Sequence, residues 1–99
     1  MITQETVLEA LTQIIDPEIG INIVDMGLIY GVDIQDKTVD ITMTLTSPGC
    51  PAGGQLVNGT QHVVKQLDDV DEVNVNVVWT PRWTPEMMSD EARDELGIF

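Results

Sequence analysis

The chain has 99 residues, the size of one domain, with 42% hydrophobic residues, 17 acids, 4 bases and a formal charge of −13. A surface so poor in Lys and Arg repels phosphate backbones and anionic lipid, which excludes nucleic acid and membranes as expected partners. The first residues lack the positive stretch of a secretory signal, no apolar run approaches the ~18 residues of a membrane span, and the one cysteine, Cys50, has no partner for a disulfide.

The expectation is therefore a cytoplasmic protein stabilised by packing alone. No repeat or low-complexity linker interrupts it, so residues 1–99 read as a single domain. Thr3 to Ile15 is predicted helical, because Val7, Leu8, Leu11, Ile14 and Ile15 recur on one face at a 3.6-residue period. Thr3 is the expected cap, and Asp16-Pro17 the expected stop, since proline disfavours helical geometry in the residue before it. Glu18 to Gly27 is apolar but aperiodic and reads as an ordered loop.

Two strands follow. Leu28, Tyr30, Val32 and Ile34 alternate with Ile29, Gly31, Asp33 and Gln35, and Asp36-Lys37 turns the chain. Val39, Ile41, Met43 and Leu45 then alternate with Asp40, Thr42, Thr44 and Thr46, which predicts a hairpin with one covered face and a threonine row on the other. A second helix is predicted from Ala52 to Leu67, burying Leu56, Val57, Thr60, Val63, Val64 and Leu67. After the acidic connector Asp68 to Glu72, Val73, Val75, Val77 and Trp79 mark a third strand, with Trp79 expected in the core. Thr80 to Met88 is punctuated by proline and leads into a short helix capped by Ser89. The order α-β-β-α-β-(α) predicts a compact two-layer α/β (α+β) sandwich, with a right-handed crossover through the second helix.

Chemistry gathers at Thr46-Ser47-Pro48-Gly49-Cys50-Pro51-Ala52, where a strand end runs into a helix start. With Pro51 in the first helical position, Cys50 is the expected N-cap, and the positive helix end would favour its thiolate. That form binds iron or attacks electrophiles; a structural, inert cysteine is the competing reading. Asp16 and Asp25 bracket the first loop as a helix terminator and a turn former. His62 falls off the apolar stripe and is expected to be solvated. Trp83, following Pro81, does not fit the strand alternation and is expected either over the Cys50 loop or in an interface.

Asp16-Pro17-Glu18-Ile19-Gly20-Ile21-Asn22-Ile23-Val24-Asp25-Met26-Gly27-Leu28-Ile29-Tyr30 closely resembles the signature of the MIP18 family, formerly the DUF59 domain. Thr44-Leu45-Thr46 through Cys50-Pro51 resembles its T-x-T…GCP motif, and Trp79-x-Pro81-x-Trp83, with Met88-Ser89, Ala92 and Leu96-Gly97, resembles the tail of its stand-alone members. The resemblance implies an iron–sulfur-assembly-domain fold and a role in maturing iron–sulfur proteins, as in SufT-like factors, or in assembling a metallo-oxygenase, as in PaaD-like ones. It matches Cys50 to the family's reactive thiol, with Asp16, Asp25 and Thr46 at polar positions around it. The expected pocket is thus Asp16, Glu18, Asp25, Thr46 and Trp83.

Three functions compete. The first is a non-enzymatic assembly factor that holds iron or a cluster transiently through Cys50, with no permanent cofactor. Because clusters take about four ligands, a homodimer, a client apoprotein or a small thiol must complete the shell. The expected partners are accordingly iron–sulfur assembly proteins and client apoproteins. The second is a thiol enzyme with Cys50 as nucleophile. The third is an acidic adaptor that docks basic partners through Asp68-Asp69-Asp71-Glu72 and Asp90-Glu91-Asp94-Glu95 in a salt-sensitive way.

Overall fold

The computed structural model describes residues 2–17, 19–46, 49 and 52–97. Helix α1 (Gln4–Leu11) is capped by Thr3, whose hydroxyl accepts from the Thr6 amide. It ends well before Pro17, so the predicted stop is not the terminator. The Gln13 and Ile14 amides bond to carbonyls three residues back, tightening the last turn so that Ile15 leaves the helical face. Ile15 is instead 48% exposed and forms a β-bridge with Asn22.

Strands β1 (Ile29–Gln35) and β2 (Thr38–Met43) form the expected antiparallel hairpin, with Asp36 at its turn in the left-handed region at φ 55°. The register shifts between Ile29 and Gly31. A bulge here corrects the predicted alternation: Ile29 pairs with Met43 and Val32 with Ile41 on the covered side, while Tyr30 is the extra residue. The threonine row is also cut short. β2 ends at Met43, and Thr44 is buried with its amide on the Leu28 carbonyl at 2.8 Å.

Helix α2 (Gly53–Lys65) buries Leu56, Thr60 and Val64 and returns the chain to β3 (Glu72–Val77), which pairs parallel to β2. The sheet order is β1-β2-β3. Past Val78, whose amide bonds the Met43 carbonyl at 2.8 Å, β2 offers no further backbone to pair with. Trp79 therefore lies beyond the strand and is 46% exposed, not in the core as expected.

Helices α1 and α2 cover one face of the sheet over Val39, Ile41, Met43 and Val73. The opposite face is polar. Asp33 sits directly across from Asp40, a repulsive pairing eased where Asn74 donates to Asp40 at 2.8 Å. The chain closes with helix α3 (Asp90–Leu96), capped by Ser89 and ended by Gly97 at φ 74°. The two-layer α+β architecture predicted from the periodicities stands.

Candidate functional site

The first loop is built on short-range backbone bonds. The Ile23 amide reaches the Ile14 carbonyl at 2.9 Å, and the Asp16 amide reaches Ile21 at 3.0 Å, so the loop is pinched at its base. The Asp16 carbonyl accepts from Gly20 at 2.7 Å, with Gly20 at φ +81°, and Asp16 itself is only 2% exposed. Asn22 then organises the next turn. Its Oδ1 accepts from the Val24 and Asp25 amides at 3.0 and 2.9 Å, and its Nδ2 donates to Asp25 Oδ2 at 2.9 Å. The Asp25 carboxylate therefore helps fix the loop, as its reading as a turn former expected.

A strap from Thr80 to Ser89 lies across this turn. The Trp83 indole Nε1 donates to the Met26 carbonyl at 2.7 Å, the Tyr30 hydroxyl donates to the Pro81 carbonyl at 2.7 Å, and the Ser89 amide donates to the Asp25 carbonyl at 2.8 Å. The Tyr30 hydroxyl also lies 3.5 Å from the Met87 sulfur. The β1 bulge is what aims Tyr30 at the strap. At Gly27 (φ +78°) a Cβ would lie 2.3 Å from the Met87 carbonyl oxygen, so glycine alone allows the strap to seat. Within the strap, the Glu86 carboxyl is held below the usual carboxylate range, first by its own backbone amide and then by the Thr84 hydroxyl.

The strand-to-helix loop begins beside this assembly. Thr46 is half-buried just after β2. At the other end of the loop, Gly53 packs so tightly on Leu45 that a Cβ there would lie 2.8 Å from Leu45 Cδ1. The two ends of the loop carrying Cys50 are thereby held together. Cys50 and Glu18 themselves lie outside the described residues, as does ligation of a metal by Cys50. The predicted cap is corrected: α2 starts at Gly53, and Ala52 occupies the cap position without a side-chain bond, because the helical φ/ψ run begins two residues later than Pro51 would set it.

Of the described pocket residues, Asp25 and Trp83 are brought together through Met26 and Ser89, Asp16 lies at the base of the same loop, and Thr46 opens the next one. The sequence reading missed Asn22, Gly27, Tyr30 and Met87 as the parts that hold strap to loop. Gly31 beside Tyr30 was the available sign of a bulge. His62 is exposed, as expected. Among the described residues, no three His, Cys, Asp or Glu side chains come together as a metal site, and no helix is long and apolar enough to cross a membrane.

Residues 4–77 match the family model described as iron-sulfur cluster assembly protein. The chain belongs to that family. It is 44% identical to the Fe-S protein maturation auxiliary factor SufT of Staphylococcus aureus, a match spanning 86% of this chain and 98% of that one. It is 43% identical to the Fe-S protein maturation auxiliary factor YitW of Bacillus subtilis, over 96% and 94% of the two chains. The crystal structure of a domain of unknown function, DUF59, from Bacillus anthracis superposes with a TM-score of 0.90 at 42% identity, covering 97% of this chain and 92% of that one. The MIP18/DUF59 resemblance and the fold it implied are both confirmed. The family match stops at residue 77, the last residue of β3, so the strap and α3 lie beyond it.

Proposed function

We propose that this chain is a SufT-like auxiliary factor for iron–sulfur protein maturation, handling iron or a cluster as cargo through the Cys50 thiolate. The observation that carries the reading is the near full-length likeness to two maturation auxiliary factors, each above 40% identity. The geometry supports it. Leu45 and Gly53 pack together at the two ends of the segment that carries Cys50, and one thiol supplies one ligand, which suits cargo that a second protein finishes ligating. The proposed setting is the cytoplasm, the proposed role is non-catalytic, and the proposed partners are assembly proteins and client apoproteins. A second copy of the chain is one way to complete the ligand shell.

The test is anaerobic incubation with ferrous iron and sulfide. Charge-transfer absorption that appears with the native chain and is lost in Cys50→Ser supports the proposal. Equal absorption in both, or none with the native chain, overturns it.

A further inference from the structure

The two edges of the sheet are finished differently. β1 carries the bulge at Tyr30, and the Gln4 side chain of α1 donates to the outward Val32 carbonyl at 2.7 Å. β3 has no bulge, proline or lysine, the devices that commonly blunt an edge. The Glu72 amide bonds the Lys37 carbonyl and the Val78 amide bonds that of Met43. In this parallel register the even-numbered residues of β3 therefore spend their backbone groups on β2. The amides and carbonyls of Val73, Val75 and Val77 point outward, and among the described residues no hydrogen bond reaches them.

Val73-Asn74-Val75-Asn76-Val77 reads the same from either end. We propose that the free edge of β3 pairs antiparallel with β3 of a second copy, about a two-fold axis at Val75, joining two sheets into one. This register sets Val73 of each copy against Val77 of the other and Val75 against itself. Opposed residues of this kind exchange both N–H···O bonds, so every outward group of the edge is satisfied. The side chains agree with it. Val73 is buried under the helices, while Val75 and Val77 pack on the same core and stay half-buried at its rim, where a second copy covers them. Asn74 meets Asn76 on the polar face.

The charges permit it although the chain carries −13. Val73 to Val78 is uncharged, and α2, which packs over β3, contains no acid. Glu72 of each copy lies opposite Val78 of the other, so the two Glu72 residues stand about 20 Å apart along the strands. The two Asp40 residues are about 15 Å apart across the sheet, which also exceeds the Debye length of about 8 Å. Because β2 runs parallel to β3, the two Cys50 loops leave the joined sheet at opposite ends. On the proposed maturation role, each thiol is then left for a client to finish ligating. The pairing itself does not depend on that role.

The experiment is sedimentation equilibrium of the reduced chain, with amide hydrogen exchange followed at rising concentration. A monomer–dimer equilibrium with Kd below about 1 mM is expected, and exchange at Val73, Val75 and Val77 should slow as dimer forms. N74K/N76K sets lysine against lysine in both Asn pairs and should weaken the dimer about tenfold, whereas N74K/N76E sets lysine against glutamate and should restore it. Net charge alone gives the reverse order, since N74K/N76K is the less acidic variant. Both substitutions are at exposed positions, and melting temperatures check that the fold is kept. A monomer at every concentration overturns the proposal. So does a dimer in which the three valine amides exchange at a rate independent of concentration, or one that N74K/N76K forms as tightly as N74K/N76E. Cys50→Ser should lose iron-dependent absorption and still dimerise, so failure of the cargo reading and failure of the pairing are told apart.

Discussion

Trp83 and Met26 lie 57 residues apart in sequence, yet the Trp83 indole Nε1 donates to the Met26 carbonyl at 2.7 Å. This bond joins the segment after β3 to the turn before β1, and Asp25 and Tyr30 add bonds on either side of it.

Replacing Trp83 separates the parts of this contact. Trp83→Phe keeps an aromatic ring and leaves the carbonyl of the buried Met26 without its donor, a loss of about 1 kcal/mol. Trp83→Ala also removes packing against the core and should cost about 2 kcal/mol. Denaturant unfolding measures both. Because β2 and β3 run parallel with Met43 opposite Val77, the strap and the Cys50 loop leave the sheet at the same end. Trp83→Ala should therefore speed alkylation of Cys50 in the folded state; an unchanged rate would show that the strap does not shield the thiol.

Gly27 and Gly20 offer a paired comparison. Both have positive φ, but a Cβ at Gly20 meets nothing within 4 Å, whereas at Gly27 it meets the Met87 carbonyl. Gly20→Ala should cost about 1 kcal/mol from backbone strain alone. Gly27→Ala adds displacement of the strap and should cost at least about 3 kcal/mol. Equal losses in calorimetry would contradict the close approach.

Asn22→Ala removes two backbone acceptor bonds and the link to the Asp25 carboxylate. The expected loss is about 1–2 kcal/mol. Hydrogen exchange should quicken first at the Met26 and Gly27 amides, which close the same turn, before the sheet amides respond.

Cys50→Ser removes no helix cap, because Ala52 holds that position. Its melting temperature should stay close to that of the native chain, with a stability change below about 1 kcal/mol, while iron-dependent absorption disappears. A variant that unfolds would assign Cys50 a structural role.

The elements legible in the sequence were those whose apolar residues repeat at a fixed period. Leu56, Thr60 and Val64 disclosed α2, and Val39, Ile41 and Met43 disclosed β2. The errors came where geometry depends on distant chain. Nothing local to Ile14 and Ile15 announces that Ile23 and Asn22 will pair with them, so α1 seemed longer than it is. Trp79 continues the apolar alternation of β3, but its neighbour β2 has already ended. The family motif pointed to the stretch from Asp16 to Tyr30 without showing what each residue does. Asn22 shapes the turn through bonds to Val24 and Asp25, whereas Gly27 and Tyr30 seat the strap through contacts with residues more than 50 positions away.

The strap also orders events on the ribosome. The loop from Asp16 to Tyr30 and the whole sheet are complete once residue 77 has emerged, but Pro81, Trp83, Met87 and Ser89 emerge after it. Until then a nascent chain presents the Met26 carbonyl and the bare face of Gly27 to whatever is nearby. Domains translated from the N-terminal side can form structure before their last contacts exist. The turn from Asn22 to Gly27 is thus sealed after the sheet that supports it, by the segment that lies beyond the family match.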